Sequence, residues 1–439
     1  MRVAIWKDLG TDEQRGLLAR PALTNDASFT ARVGAIIERV RHEGDAALFD
    51  LTAKLDRIEL TSLEVSEGEF TEAEARLTEP QRAAIRAAAK NIETFHALQM
   101  PTPIDVETAP GVRCERVWRA IESVGLYVPA GTAPLPSTAL MLGVPARLAG
   151  CGTRLLCSPV QSDGRVDAAV LFAARVAGVQ RVFKLGGAQA IAALAYGTAT
   201  VPKVDKIFGP GSQWVTEAKA QVDRDPAGAA RDYPAGPSEV LVIADGSASA
   251  AFVASDLLSQ AEHGVDSQVL LLATSPTVAA AVVAEVEAQK VRLARREIVE
   301  GALASSSAIV VEDLDTAFEI ANRYAPEHLI LQIERPRDWL PQVHAAGSVF
   351  LGPWTPESVG DYCSGTNHVL PTYGFARRYS SLGVTDFLRS MTVQELTIEG
   401  LRTIGPIATT LATLEGLDAH ARAVTERLAV IDEQYGARR

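Results

Sequence analysis

The sequence has 439 residues, of which 47% are hydrophobic and 22% charged, and its formal net charge is −12. This length allows roughly two to four domains with an ample core, and the composition is typical of a globular chain. The acidic balance argues against a nucleic-acid backbone as partner. Because no apolar run reaches the ~18 residues of a membrane span, no membrane partner is predicted either.

The amino terminus lacks the sustained apolar core of a signal peptide. The cysteines are scattered through the sequence and form no C-x-x-C pair: Cys114, Cys151, Cys157 and Cys363. This distribution favours reduced thiols over a disulfide framework. We therefore predict a cytoplasmic protein.

Residues 1–25 form a short polar arm that is too small to fold alone. From Ser28 to about Leu98, apolar residues at three- and four-residue spacing predict helices packed by one face. At Val124 the pattern changes to strands alternating with helices, which predicts βαβ units and a parallel sheet. A second alternating series begins at Glu239.

The two series predict an α/β protein with two incomplete, Rossmann-like, parallel-sheet domains and a cleft between them. We assign residues 26–126 and 237–382 to the first α/β domain and residues 127–236 to the second. Residues 383–439 are predicted to form a helical tail. There Pro406 can start one helix, Gly416 can close it in the left-handed conformation, and Asp418 can cap the next.

Pro326-Glu327-His328 places a carboxylate beside an imidazole, between a predicted helix over residues 314–324 and a predicted strand over residues 329–331. The helix should end near Ala325, because proline disfavours the α conformation in the preceding residue. Histidine titrates near neutrality, and burial raises the pKa of a glutamate toward that range. The pair is a candidate for proton transfer in a connection of the kind that often carries sites. The alternative is an exposed loop pair.

A candidate metal set combines two nitrogen and two oxygen donors without a thiolate: Gln260, His263, Asp361 and His420. Such a set suits Zn²⁺, with Mn²⁺ or Co²⁺ as substitutes. Gln260 and His263 share one face of a predicted helix. The alternatives are that His263 only complements a helix dipole and that Glu415 and His420 form a hydrogen-bonded corner. His368, near Asp361, is predicted to be structural.

The nucleotide side is less explicit, because the sequence contains no G-x-G-x-x-G. Gly186-Gly187 is the nearest strand-to-helix glycine turn. Gly209-Pro210-Gly211-Ser212 precedes a predicted helix whose free amides could receive a phosphate. Either turn could be plain loop geometry, so neither alone identifies a dinucleotide.

Taken together, these segments closely resemble the histidinol dehydrogenase family. The matching stretches follow one another in order through nearly the whole chain: residues 91–96, 124–129, 134–137, 235–240, 259–264, 324–329, 360–372 and 415–420. The loop over residues 360–372 is the most specific of them.

The resemblance implies a zinc- and NAD-dependent oxidation of L-histidinol through L-histidinaldehyde to L-histidine, the final step of histidine biosynthesis. It implies that His328 takes the hydroxyl proton and that Glu327 activates water. It also implies one Zn²⁺ per subunit on the four candidate ligands, with His420 coming from the partner subunit of an intertwined homodimer. The implied substrate contacts are Ser238, Gln260, His263, His328, Asp361, Glu415 and His420. The implied cofactor contacts are Tyr127, Gln189 and Ser212.

Two departures concern the cofactor side, where the family usually has asparagine at position 212 and glycine at position 130. Ser212 keeps a hydroxyl but has a shorter reach. We therefore expect an intact NAD⁺ site whose binding free energy is weaker by about 0.5–1.5 kcal/mol, the worth of one hydrogen bond. Ala130 matters only if its φ must be positive.

Two other functions stay open. One is a related zinc- and NAD-dependent polyol dehydrogenase, for example of sulfonated propanediols. The other is a non-catalytic, zinc-stabilised nucleotide-binding dimer. Glu415 and His420 favour histidinol over other polyols, and the Glu327-His328 pair argues against a non-catalytic protein.

Overall fold

The computed structural model describes residues 1–21, 27–130, 133–234 and 236–435. They form two compact units, one of Met1–Gln99 with Ile121–Phe387 and the other of Met100–Ala120 with Leu388–Arg439. The predicted α/β class is confirmed, because both larger sheets are parallel. The four-part division expected from the sequence stays a prediction, and the end of its arm at residue 25 lies outside the described residues.

The strands are β1 (Arg2–Ile5), β2 (Ile104–Ala109), β3 (Val112–Ala120), β4 (Ser123–Tyr127), β5 (Thr153–Cys157), β6 (Arg181–Phe183), β7 (Lys206–Phe208), β8 (Ala230–Arg231), β9 (Glu239–Ala244), β10 (Gln268–Ala273), β11 (Ser307–Val310), β12 (His328–Gln332), β13 (Ser348–Leu351) and β14 (Leu388–Leu396). The helices are α1 (Thr11–Leu17), α2 (Ala27–Glu43), α3 (Asp45–Leu55), α4 (Glu67–Arg76), α5 (Glu79–His96), α6 (Pro136–Ala149), α7 (Ala168–Ala177), α8 (Gly187–Tyr196), α9 (Gln213–Arg224), α10 (Ala250–Ala261), α11 (Pro276–Lys290), α12 (Arg296–Ala304), α13 (Leu314–Tyr324), α14 (Pro336–Trp339), α15 (Glu357–Tyr362), α16 (Ile398–Leu414) and α17 (Asp418–Tyr435).

The first sheet of the larger unit has six strands in the order β1-β11-β10-β9-β12-β13. Strands β9 to β12 are buried along their whole length, as expected for a parallel sheet that is covered on both faces. Helices α10, α11 and α12 pack on one face, and α1 and α13 pack on the other. The amino-terminal arm therefore belongs to this sheet, because its β1 pairs with β11.

The second sheet of the larger unit has five strands in the order β6-β5-β4-β7-β8. Helices α2, α3, α8 and α9 pack together on one of its faces. Its helices end where the sequence allows, since Gly150 and Gly178 close α6 and α7 in the left-handed conformation. Asp167 caps the start of α7 by accepting hydrogen bonds from two backbone amides.

The smaller unit corrects the prediction of a helical tail. Residues 388–396 form β14, which pairs antiparallel with β3 along its whole length. The segment is rich in residues that suit strands, such as Thr392 and Val393, and β3 offers it a free edge. Helix α16 begins at Ile398 behind the cap Thr397 and carries Pro406 in its interior. Pro406 therefore does not start a helix.

The turn between α16 and α17 has the conformation expected from its glycine, since Gly416 has a φ of 70°. Asp418 is the first residue of α17 rather than its cap. Within the described part of the chain, no helix combines the length and the apolarity that a bilayer crossing requires. The cytoplasmic location stays a prediction.

Candidate active site

A cavity of about 760 Å³ lies in the larger unit, between its two sheets. The six-stranded sheet contributes the amino ends of β9, β10 and β12, with the residues that precede them. The five-stranded sheet contributes the turns that follow β4 and β7 at their carboxyl ends. The predicted cleft is thus present, and it holds most of the candidate site residues.

The Glu327-His328 pair lies on this cavity, between α13 and β12. Helix α13 ends at Tyr324 as predicted, and Ala325 leaves it with a φ of 53°. A non-glycine residue in that region is strained, and such strain is often found beside functional groups. Both catalytic candidates are buried, Glu327 to 6% and His328 to 3% exposure. The alternative of an exposed loop pair is therefore wrong.

The backbone of Glu239 at the start of β9 orients both side chains. Its amide donates to Oε2 of Glu327 at 2.9 Å, and its carbonyl accepts from Nδ1 of His328 at 3.2 Å. A proton on Nδ1 leaves Nε2 as the basic nitrogen. That Nε2 is buried without a hydrogen-bond partner and lies 3.5 Å from a carboxylate oxygen of Asp361.

The environment of the pair moves both of its pKa values toward or above neutrality. Burial raises the pKa of Glu327 to about 8, although His328 and the Glu239 amide oppose the shift. Burial alone would lower the pKa of His328, but the surrounding carboxylates of Glu357, Glu327 and Asp361 raise it well above its ordinary value. Glu327 can therefore exchange a proton near neutral pH, and the surrounding carboxylates make His328 a stronger base than a free imidazole.

Three ligand atoms, from His263, Glu357 and Asp361, lie within 4.8 Å of one another. His263 is exposed to the cavity, yet desolvation of its ring lowers its pKa despite the pull of Asp361, and neutral imidazole is the form that binds metals. Gln260 is fully buried beside this cluster. With its amide oriented so that the nitrogen faces Glu357, the side-chain nitrogen donates to the Glu357 carboxylate and the oxygen accepts from the Glu239 amide at 3.0 Å.

Glu357 is the member of this cluster that the sequence analysis missed. It lies four residues before Asp361, so the two share one face of α15, and that spacing was the available signal. It is only 1% exposed, and its Oε2 has no hydrogen-bond partner. Burial raises its pKa well above the ordinary value. A bound cation would offset that cost, so this cluster of oxygen and nitrogen donors fits a zinc ion.

The glycine-rich side of the cavity holds one of the three predicted cofactor contacts. Ser212 lines the cavity and is the N-cap of α9, but its side chain makes no capping hydrogen bond. Tyr127 and Gln189 are buried, at 4% and 2% exposure, and neither is among the described residues that line the cavity. The Tyr127 hydroxyl instead accepts a hydrogen bond from the Gly187 amide at 3.0 Å.

The comparisons with known proteins agree with one another. The family model described as histidinol dehydrogenase matches residues 19–428. The histidinol dehydrogenase of Xanthomonas axonopodis pv. citri is 57% identical over 430 residues, 98% of this chain and 100% of the relative. That of Vibrio vulnificus is 55% identical over 98% of both chains. The crystal structure of the Elizabethkingia anophelis enzyme superimposes with a TM-score of 0.94 at 44% identity, covering 98% of this chain and 99% of that one.

The chain belongs to the histidinol dehydrogenase family. The predicted resemblance is confirmed, and with it the prediction of an oxidoreductase of histidine biosynthesis. Of the two departures from the family pattern, Ala130 needs no special backbone. The described non-glycine residues with positive φ are Arg57, Ala325, Arg335 and Tyr373, so alanine at position 130 is not strained.

The residues that the family resemblance implies for the site fall into two groups. The first group lines the cavity between the two sheets: Ser238, Gln260, His263, Glu327, His328 and Asp361. Glu415 and His420 belong to the smaller unit, where they are exposed on either side of the α16–α17 turn. Their predicted contribution to a partner subunit's site stays a prediction, as do the cofactor contacts of Tyr127 and Gln189.

Proposed function

We propose that this chain oxidises L-histidinol to L-histidine through L-histidinaldehyde, with two NAD⁺ consumed in sequence. The observation that best supports this function is the buried Glu327-His328 pair, whose basic nitrogen is unpartnered beside a cluster that fits a metal. We also propose a homodimer in which His420 and Glu415 of each subunit complete the other subunit's site.

Gln260, His263 and Asp361 would hold the zinc ion, with His420 from the second subunit. When bound, zinc fixes the imidazole and the amine of the substrate. Glu357 lies beside this set and accepts a hydrogen bond from the Gln260 amide nitrogen. The Gln260 amide oxygen, which accepts from the Glu239 amide, would offer its second lone pair to a metal. An orienting contact of this kind commonly tunes metal affinity.

In the first oxidation, Nε2 of His328 takes the proton of the substrate hydroxyl. NAD⁺, when bound, would accept the hydride from the alcohol carbon, which would become the aldehyde carbon. Because the Glu239 carbonyl accepts the Nδ1 proton, the ring keeps one tautomer and stays in the orientation that this transfer needs.

In the second oxidation, Glu327 removes a proton from water while the water oxygen attacks the aldehyde carbon. The resulting gem-diolate would give up a second hydride, which a second bound NAD⁺ would accept, and a carboxylic acid would form. A base with a pKa of about 8 is strong enough for this step and still partly ionised near neutral pH. No thiol is required, and the described cysteines are free.

The glycine-rich side would receive NAD⁺. Ser212 and the first residues of α9, Gln213 and Trp214, line the cavity, and the amino end of a helix favours the negative charge of a phosphate. The family's asparagine at position 212 reaches further than serine does, so we propose that this chain binds NAD⁺ more weakly than asparagine-bearing relatives.

The charge of the cavity bears on the substrate. On the side of the six-stranded sheet its lining includes the carboxylates of Asp266 and Asp361. Such a lining favours the cationic amine of histidinol over an anionic sulfonate, since unlike charges attract and like charges repel at these distances. The sulfonated diols are therefore the weaker candidate.

The test is the amount of NADH formed per L-histidinol consumed, followed at 340 nm with the zinc-loaded protein and limiting substrate. Two NADH per histidinol are expected. No NADH from histidinol, with turnover of a sulfonated propanediol, would overturn the proposed substrate, and no turnover of either would favour the non-catalytic binding protein.

A further inference from the structure

Arg20, which follows α1 in the amino-terminal arm, has its guanidinium against Glu239, the residue whose backbone orients the catalytic pair. Its Nε and Nη2 donate to the two oxygens of the Glu239 carboxylate at 2.5 and 2.8 Å. The side chains are 13% and 2% exposed. A buried, two-pronged arginine–carboxylate pair fixes both direction and distance, which a lysine cannot do.

The same guanidinium also closes the end of α13. Nη2 donates to the carbonyls of Tyr324 at 2.8 Å and Ala325 at 3.4 Å, and the guanidinium stacks over the Tyr324 ring at 3.9 Å. Those carbonyls have no partner within a helix. Arg20 thus binds the strained residue from which the chain leaves α13 toward Glu327.

Glu239 passes this constraint to the catalytic groups. Its carboxylate accepts hydrogen bonds from the Glu327 amide at 3.3 Å and from the Tyr373 amide at 3.1 Å. Its own backbone binds the Glu327 carboxylate and the His328 ring. A continuous set of hydrogen bonds therefore links the arm to both reacting side chains, through a single residue.

We propose that Arg20 is a positioning residue for the proposed oxidation, holding Glu239 and the Ala325 turn so that Glu327 and His328 face the bound substrate. This inference rests on the proposed function. Without the guanidinium, a buried carboxylate loses its counter-charge and the left-handed turn loses its partners, so the pair shifts away from its working geometry. A displacement of about 1 Å lowers a rate by about 100-fold.

The competing explanation is that Arg20 only docks the arm onto the fold. The arm has other attachments, since Leu17 is buried in the core and the side-chain Nε2 of Gln268 donates to the Ala19 carbonyl at 2.8 Å. Loss of docking would lower the free energy of unfolding without changing turnover per folded molecule. Loss of positioning would lower kcat and leave KM largely unchanged.

The experiment compares Arg20→Met, Arg20→Lys and the control Arg15→Met, all with zinc content and unfolding midpoint measured. Arg15 lies in the same arm and pairs with exposed Asp12. We expect kcat for L-histidinol to fall about 100-fold in Arg20→Met and about tenfold in Arg20→Lys, with KM within about threefold of wild type. Arg15→Met should match wild type.

A wild-type kcat in folded Arg20→Met, or a loss confined to KM, would overturn the positioning role. If Arg20→Met does not fold, Arg20→Lys decides, because a kcat within about twofold of wild type contradicts the proposal. Wild type and Arg15→Met distinguish a failure of the proposed function from a failure of the positioning role. Their failure to form NADH would refute the proposed function, whereas active controls beside unimpaired Arg20 variants would refute only the positioning role.

Discussion

The two sheets of the larger unit present opposite ends to the same cavity. The six-stranded sheet offers the amino ends of its strands, so α10 and α13 reach the cavity with their carboxyl ends, near His263 and Glu327. The five-stranded sheet offers carboxyl ends, so α6 and α9 reach it with their amino ends, near Ser137 and Ser212.

We call the side of the cavity formed by each sheet and its helices the six-stranded wall and the five-stranded wall. Because opposite helix ends face the cavity, the two walls favour ligands of opposite charge. Helix carboxyl ends carry partial negative charge and favour cations, whereas helix amino ends favour anions. A metal and a cationic substrate therefore suit the six-stranded wall. The same wall holds His328 with the neighbouring carboxylates of Glu327 and Glu357. A dinucleotide phosphate suits the five-stranded wall. Ligands of open α/β sheets usually bind at carboxyl ends, so the catalytic wall departs from that rule.

The contrast between the two walls is wrong if proton transfer does not depend on residues of the six-stranded wall. We expect His328→Asn to lower kcat for L-histidinol by about 10²–10⁴-fold, because the base that accepts the hydroxyl proton is lost. Steady-state NADH formation measures the effect. The matched control is His344→Asn, an exposed histidine outside the cavity, and an equal loss in both variants would contradict the assignment.

The metal preference of the same wall is the next test. His263→Asn should weaken zinc binding by about 100-fold or more, since it removes a ligand rather than a residue that orients one. Competition with a chromophoric chelator measures the affinity without reference to activity. Asp266→Asn also alters the cavity lining but lies outside the cluster, so an equal weakening there would indicate a general charge effect.

Buried charge on the six-stranded side also predicts a pH dependence of stability. Burial of Asp256 on α10 raises its pKa to about 6, from about 3.9 in an unfolded chain. Between these values the folded state binds more protons, so the free energy of unfolding falls as pH rises from about 4 to about 6.

Asp256→Asn should remove this dependence, so its stability relative to wild type should rise by roughly 2 kcal/mol across that interval. Urea unfolding at several pH values measures the difference. The exposed control Asp315→Asn should show no such trend, and parallel curves for wild type and Asp256→Asn would contradict the prediction.

The smallest expected effect tests whether the five-stranded wall binds NAD⁺ through residue 212. Ser212→Asn should lower KM for NAD⁺ by up to about tenfold, because the longer side chain regains a hydrogen bond worth about 0.5–1.5 kcal/mol. The kcat and the KM for histidinol should not change. Ser212→Ala is the paired control, and an effect on histidinol instead of NAD⁺ would place Ser212 on the wrong side of the cavity.

Local patterns were sufficient for much of this fold. Helix α13 has the bounds that its apolar spacing and Pro326 predicted, and strand β9 begins at Glu239, where the second alternating series was predicted to begin. Strand β14 was missed because its exposed residues carry no apolar periodicity and its partner β3 lies far away in sequence. A strand that forms by pairing with a distant neighbour, and that is not itself buried, has no alternation of apolar and polar residues to predict it.

The site shows the same division. The Glu327-His328 pair was visible because its two residues are adjacent, and Gln260 with His263 because they share a helix. Arg20 and Glu239 were not visible as a pair, since 219 residues separate them. The burial of Tyr127 and Gln189 also depends on packing that a local pattern does not encode. Contacts over long sequence separation are therefore the part that required the structure.

The most direct test of the account is the yield of NADH per L-histidinol in Glu327→Gln, beside the wild-type enzyme. Wild type should form two NADH and L-histidine. Glu327→Gln should form one NADH and stop at the aldehyde, because His328 still serves the first oxidation while water is no longer activated for the second. Two NADH and normal histidine formation by Glu327→Gln would contradict the division of labour on which the account of the six-stranded wall rests.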